Sequence, residues 1–164
     1  MNNSTLSIAL IYNHSEKLTK GEANDVIAEE SVLLTNEAIN KALSTLGYRT
    51  ASFALNRKTL LQLPANLTSF KADLVFNLCE SFEGESQLEK NIPSLLELLL
   101  LPYTGSDAFT LGVCLDKFKT KKLLSAFGIA TPRGFLMEPH RLADLPELSY
   151  PLIVKPNFED GSLG

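Results

Sequence analysis

The sequence predicts an α/β fold with a doubly wound parallel sheet, and three observations support that prediction. Short apolar runs typical of buried parallel strands lie at residues 6–12, 50–55 and 73–79. A long amphipathic helical pattern separates the first two runs, and a second helical segment follows the third. Strands that alternate with helices form parallel sheets with right-handed crossovers, and ligands bind beyond the carboxyl ends of their strands.

The elements of the first half follow from local patterns. Apolar residues three and four positions apart predict one long helix over residues 26–46, and Gly47 is expected to end it. Residues 57–63 are predicted to form a short helical turn before Pro64. The third strand should lead through an acidic loop into an apolar helix over residues 88–101, with Pro93 tolerated near its first turn.

The second half begins at a break in this alternation. Residues 102–107 indicate a domain junction, so that residues 1–103 form one domain and residues 104–164 begin another. We expect helices at 108–113 and 117–127, the second capped by Asp116. Apolar β-forming residues then predict strands at 131–137 and 151–155. The last strand would present Lys155 at its end, before a proline and a loop of small residues.

The composition argues against several classes of function. The chain has 164 residues, of which 45% are hydrophobic, and a net charge of −4, which fits a globular protein. No nucleic acid or membrane partner is expected, because both need clustered Lys and Arg. We expect no secretory signal and no membrane span, and therefore a cytoplasmic protein. Cys79 and Cys114 are predicted to be buried and inert.

Four segments, in order, resemble the D-alanine–D-alanine ligases of the ATP-grasp superfamily. Residues 95–106, LLELLLLPYTGS, resemble the family's LLELLGIPYTGS segment. Residues 116–121, DKFKTK, are similar to a DK-x-x-[ST]-K helix start, and residues 128–132, GIATP, are similar to a G-[IL]-P-[TV]-P turn. Residues 150–156, YPLIVKP, resemble the family's [FY]-P-[VL]-[IV]-V-K-P strand. The resemblance is specific from about residue 73 to residue 164.

The resemblance implies an ATP-dependent carboxylate–amine ligase that forms an acylphosphate, which an amine then attacks. It implies a Rossmann-like (pre-ATP-grasp) sheet domain followed by the first half of the ATP-grasp central α/β domain. ATP would contact Lys117 and Lys155, and a loop with Ser162 and Gly164 would cover the phosphates. Mg²⁺ ligands are expected beyond residue 164. The chain is therefore expected to be the N-terminal portion of an enzyme, and inactive alone.

The amino-acid side departs from the family pattern. Glu30, within AEESV at residues 28–32, is the candidate counterpart of a catalytic-site glutamate that holds the ammonium of the first D-alanine, and it is equally consistent with a solvated helix turn. LCESFEGES at residues 78–86 replaces the family's LHG-x-x-GEDG loop. Glu80, Glu83 and Glu85 are thus substrate-side candidates and would suit a cationic or multi-amine amino acid or peptide. They are equally consistent with solvated loop charges.

Alternatives to the ligase remain open. The chain could be a non-catalytic, ligase-derived binding or oligomerisation module, and a half-built central domain would expose apolar surface and promote self-association. A homodimer through the N-terminal domain is also compatible with the resemblance. A dinucleotide-binding domain is disfavoured, because YNHS at residues 12–15 stands where a G-x-G-x-x-G motif would follow the first strand. His14 is expected to be a surface turn residue.

Overall fold

The structure, a computed structural model, describes residues 5–14, 23–137 and 149–159, with the side chains of the first helix described from residue 31 onward. Three strands are present, β1 (Ser7–Asn13), β2 (Arg49–Leu55) and β3 (Leu74–Asn77). The helices are α1 (Ala23–Thr45), α2 (Leu63–Phe70), α3 (Asn91–Leu98), α4 (Ala108–Leu115) and α5 (Lys117–Ala126).

The three strands form a parallel sheet in the order β2-β1-β3, as predicted. The segment that follows α3 extends the β3 edge, because Tyr103 forms a parallel bridge with Val75. The N–H of Val75 donates to the carbonyl oxygen of Pro102 at 2.8 Å, and the N–H of Thr104 donates to the carbonyl oxygen of Val75 at 3.0 Å. Residues 102–104 therefore lie against the same sheet as residues 7–77.

Helices cover both faces of the sheet, which explains why the middle of β1 is apolar. Ala9 and Ile11 belong to one buried cluster with residues of α2 and α3. On the opposite face, Ser52 lies beside Leu10, and its hydroxyl donates to the side-chain carbonyl of Asn36 in α1 at 3.0 Å. A central strand buried on both sides needs a continuous apolar run, and residues 8–11 provide it.

Two helix predictions in the first half were partly wrong. A 3₁₀ turn at Leu60–Gln62 leads directly into α2, so the helix continues through Pro64 instead of ending before it. Proline fits there because the N–H groups of a first helical turn have no intrahelical partner. The helix predicted over residues 88–101 is shorter, since a 3₁₀ turn at Ser86–Leu88 precedes it and Leu100 has a positive φ of 56°.

The strands predicted at 131–137 and 151–155 are absent from the described residues, whereas α4, α5 and the Asp116 cap are confirmed. Ile153 and Val154 are 78% and 84% exposed. β-forming side chains favour a strand only when a neighbouring strand pairs with the backbone and covers the apolar face. Residues 149–159 pair with no strand among the described residues.

Cys79 is buried as predicted, but Cys114 is exposed. The prediction for Cys114 failed because α4 is a short surface helix without a buried residue, so apolar sequence neighbours do not enclose its thiol. No helix within the described parts of the chain is long and apolar enough to cross a membrane.

Candidate active site

Asp116 is a buried carboxylate at the junction of α4 and α5. Its Oδ1 accepts from the backbone N–H of Lys119 at 3.0 Å and from the side-chain amide of Asn157 at 2.9 Å. Its Oδ2 lies 3.0 Å from the ammonium of Lys119. Burial raises the pKa of Asp116, but the bonds from Asn157 and Lys119 and the Lys119 charge outweigh it, so the net pKa is lowered. Asp116 thus holds both Lys119 and Asn157.

Asn157 binds the first turn of α5 from outside the helix, and sequence reasoning missed it. Its backbone carbonyl accepts from the N–H of Lys117 at 3.2 Å, and its side-chain oxygen accepts from the N–H of Phe118 at 2.9 Å. Asp116 accepts the next two N–H groups, those of Lys119 and Thr120. All four donors of this turn are therefore paired, and the helix N-terminus has no spare N–H for an anion.

Lys117 contacts the segment of the chain that carries Lys155. The half-buried Lys117 donates from its ammonium to the backbone carbonyl of Glu159. An ammonium has three donors, so two remain for other acceptors. Lys155 is exposed and lies two residues before Asn157, so their Cα atoms are at most about 7 Å apart. The structure therefore places Lys117 against the segment that carries Lys155, although Lys155 does not stand on a strand.

Glu159 connects this region to the 3₁₀ turn at Ser86–Leu88. The hydroxyl of Ser86, which is buried, donates to Oε2 of Glu159 at 3.1 Å. A hydroxyl bonded to a carboxylate is a charge-assisted contact, stronger than one between neutral groups. Ser86 directly follows the acidic loop of residues 80–85. The predicted loop residues Ser162 and Gly164 lie outside the described residues.

The acidic loop lies at the carboxyl ends of β1 and β3, where the fold predicts a ligand crevice. The N–H of Glu80 donates to the side-chain oxygen of the buried Asn13 at 3.0 Å, and the Glu80 side chain is exposed. Glu83 faces Arg57, whose N–H donates to its Oε1 at 2.8 Å and whose Nε lies 4.0 Å from its Oε2. Glu85 is half-buried.

The remaining candidates are placed less fully. Glu30 lies in α1, but its side chain is outside those described. His14 is an exposed residue after β1, and its backbone N–H donates to the carbonyl oxygen of Leu55 at 3.0 Å. Among the described residues there is no group of three or more His, Cys, Asp or Glu side chains that could hold a metal ion.

An apolar cavity of about 410 Å³ lies beside the acidic loop, between α2 and α3. Leu61, Pro64, Phe82 and Ile92 are among its lining residues, and Asn91 is the polar one. Without a charged lining group, this cavity does not suit a nucleotide or the ammonium of an amino acid. The polar contacts around Asp116 and Asn157 therefore mark the better candidate site.

Comparisons with known proteins lead to one group of enzymes. No protein-family model matches the sequence. The D-alanine–D-alanine ligase of Moorella thermoacetica is 33% identical over 144 residues, which are 82% of this chain and 44% of the relative. The enzyme of Aquifex aeolicus is 35% identical over 137 residues, again 82% and 44%. D-alanine–D-alanine ligase B of Pseudomonas putida is 36% identical over 140 residues, or 84% and 42%. The chain spans less than half the length of these curated relatives.

A solved structure shows the same fold. The D-alanine–D-alanine ligase from Bacillus anthracis, complexed with ATP, matches with a TM-score of 0.67 and 24% identity. The match covers 97% of this chain and 49% of that one. This chain therefore has the α/β architecture of the N-terminal part of that enzyme.

Proposed function

We propose that this chain, a homologue of the N-terminal portion of the D-alanine–D-alanine ligases, supplies the amino-acid-facing domain and the first nucleotide contacts of an ATP-dependent carboxylate–amine ligase. One observation carries the proposal. The segment of residues 155–159 is held against the start of α5 by Asn157, so that Lys117 and Lys155 share one region. These are the two lysines that the family resemblance assigns to ATP.

The described residues fit a polyphosphate. ATP, when bound, would supply the phosphoryl group that activates a carboxylate. The two remaining donors of Lys117 and the exposed ammonium of Lys155 provide two point charges for phosphate oxygens. Because the N–H groups of the α5 first turn are paired, phosphate binding depends on these side chains and on the loop with Ser162 and Gly164. Mg²⁺ ligands, expected beyond residue 164, form no part of the proposal for this chain.

The acidic loop is the proposed contact for an amino acid or peptide. Glu80 is exposed at the carboxyl edge of the sheet and is well placed for a substrate ammonium. Glu83 is directed toward Arg57, so its charge is partly balanced within the protein. Glu30 and Glu85 stay candidates for the same ammonium. D-alanine and a more cationic substrate are both compatible with this loop.

Nucleotide binding by the 164-residue chain tests the proposal. A titration with a fluorescent ATP analogue should give saturable binding, weakened about tenfold or more by Lys117→Ala or Lys155→Ala, which is about 1.4 kcal/mol for each lost phosphate contact. Lys41→Ala, an exposed lysine of α1, is the matched control and should bind like wild type. Failure of the wild-type chain to bind, or an equal loss in the control, would overturn the proposal.

Turnover requires a separate measurement. We expect no ADP release from the chain alone, because it spans 44% of the relatives' length. A longer protein that carries these residues should release ADP only when the correct amino acid or peptide is supplied. Nucleotide binding without turnover across a broad amino-acid panel would favour the alternative, a ligase-derived binding module.

A further inference from the structure

Asn157 joins two elements that are distant in sequence through three hydrogen bonds. Two are accepted, from the N–H groups of Lys117 and Phe118, and one is donated, to Oδ1 of Asp116. An asparagine side chain can donate and accept at the same time, and neither aspartate nor alanine can do both at neutral pH. The residues just before it, Lys155 and Pro156, are exposed. Asn157 is thus the residue that holds this segment in place.

Glu159 makes two contacts in different directions. Its backbone carbonyl accepts from the ammonium of Lys117. Its carboxylate accepts from the hydroxyl of Ser86, a buried group that follows the acidic loop. A single residue therefore contacts both a proposed nucleotide lysine and the proposed substrate-side loop.

We propose that Asn157 and Glu159 are positioning residues of this site. Asn157 fixes the segment that carries Lys155 beside Lys117, and Glu159 ties the same segment to the acidic loop through Ser86. Together they set the distance between the nucleotide contacts and the substrate contacts before either ligand binds. This inference rests on the proposed function, and goes beyond it in assigning a role to residues that the family resemblance did not single out.

The chemistry of the Asn157 contact provides a specific test. Asn157→Asp would place a second carboxylate about 2.9 Å from that of Asp116, where Asn157 now donates. Two carboxylates this close cannot both ionise easily, so one binds a proton at a raised pKa. The shared proton restores a donor. Lys119 faces Asp116, and Lys117 faces the segment that carries Asn157. Their positive charges oppose the rise in pKa, so the shared proton binds only at acidic pH.

The experiment measures affinity for the fluorescent ATP analogue and backbone hydrogen exchange on the full chain. Asn157→Ala should weaken binding about tenfold and speed exchange of the Phe118 amide, which loses its acceptor. Asn157→Asp should bind weakly at pH 7 and regain affinity toward pH 5, relative to wild type at each pH. Asn66→Asp, the same change on α2, is the matched control and should show neither effect.

The Glu159 contact is tested by comparing a substitution that keeps a hydrogen-bond acceptor with one that removes it. Glu159→Gln retains an acceptor for the Ser86 hydroxyl and should bind nearly as well as wild type, whereas Glu159→Ala should lose about threefold to tenfold in affinity. Ser86→Ala should match Glu159→Ala, and the double variant should lose no more than either single one. Glu37→Ala, on the exposed side of α1, is the control.

The outcomes separate this inference from the proposed function. If the wild-type chain binds no nucleotide, the proposed function fails and the inference fails with it. If wild type binds but the Asn157 and Glu159 variants bind equally well, only the inference is overturned. Faster exchange at Phe118 with unchanged affinity also overturns it, because the contact would then serve the fold alone.

Discussion

At the residue scale, Asp116 is expected to contribute to stability through two kinds of bond. It caps α5 through the N–H of Lys119 and also accepts from Asn157. Asp116→Ala should lower the free energy of unfolding by about 1–2 kcal/mol, as expected for a lost cap plus a tertiary bond. Urea denaturation at pH 7 measures this loss. Asp107→Ala removes an exposed cap without such a partner and should cost less.

The pH dependence of the Asp116 contribution has a definite sign. The folded pKa is lowered, so the carboxylate stabilises the fold at pH values above its unfolded pKa of about 3.9. That contribution is lost as the pH falls through the folded value. The stability difference between wild type and Asp116→Ala should therefore shrink in strongly acidic buffer. A difference that grows on acidification would contradict this assignment.

The two cysteines should differ sharply in reactivity. Burial, with a further contribution from the charge of Glu89, raises the pKa of the Cys79 thiol far above its ordinary value. Cys114 is exposed. Because the thiolate is the reactive species, a disulfide reagent should modify one thiol rapidly in the native chain and the second only on unfolding. Cys114→Ser should abolish the rapid phase, and its persistence would show that Cys79 is accessible.

Sequence could predict those residues whose role depends on near neighbours. The Asp116 cap was predictable, because its partner Lys119 lies three residues away. Asn157 was not, since its contact with Asp116 spans 41 residues and depends on how two segments pack. The prediction for Cys114 was wrong for the same reason, because its exposure is set by the position of α4 on the surface and not by its apolar sequence neighbours.

At the scale of elements, the end of α3 is strained in a way that a single substitution can relieve. Leu100 has a φ of 56°, a left-handed conformation that favours glycine, and its side chain is 89% exposed. The family segment LLELLGIPYTGS has glycine at this position. Leu100→Gly should therefore raise the free energy of unfolding by up to about 1 kcal/mol. Thermal and urea denaturation measure the change.

Leu98 is a matched control for this prediction. It is 82% exposed and lies within α3, where helical φ is favoured. Leu98→Gly should destabilise by about 1 kcal/mol, because glycine loses more backbone entropy in a helix. Equal signs for the two glycine variants would show that backbone conformation does not explain the effect at Leu100.

Elements with local signals were predictable, and those that need a distant partner were not. The strands β1 to β3 and the helices α4 and α5 follow from apolar runs, periodicity and caps within about ten residues. The apolar segment at 151–155 has the same strand signal as β1, yet it forms no strand among the described residues. β1 has strands on both sides, and this difference lies outside the segment's own sequence.

At the scale of the whole molecule, burial is distributed unevenly. The sheet with α2 and α3 contains the buried apolar cluster, whereas α4 and α5 contain no buried apolar residue. The proposed nucleotide contacts thus depend on polar contacts, mainly those of Asp116, Asn157 and Glu159, instead of on a core. We expect such a region to open at low energetic cost, which would suit the proposed nucleotide site.

The same uneven burial leaves large apolar side chains exposed, and we expect them to promote self-association. Phe127, Ile153 and Val154 are 77%, 78% and 84% exposed, and large exposed apolar patches are typical of association surfaces. Light scattering should show a mass that rises with protein concentration. Replacing Ile153 with Glu and Val154 with Lys keeps the net charge and should reduce the association. The same pair of changes at Leu34 in α1 and Leu46 just after it, both exposed, should leave it unaltered, since these lie in the other half of the chain. A concentration-independent monomer in wild type would contradict this prediction.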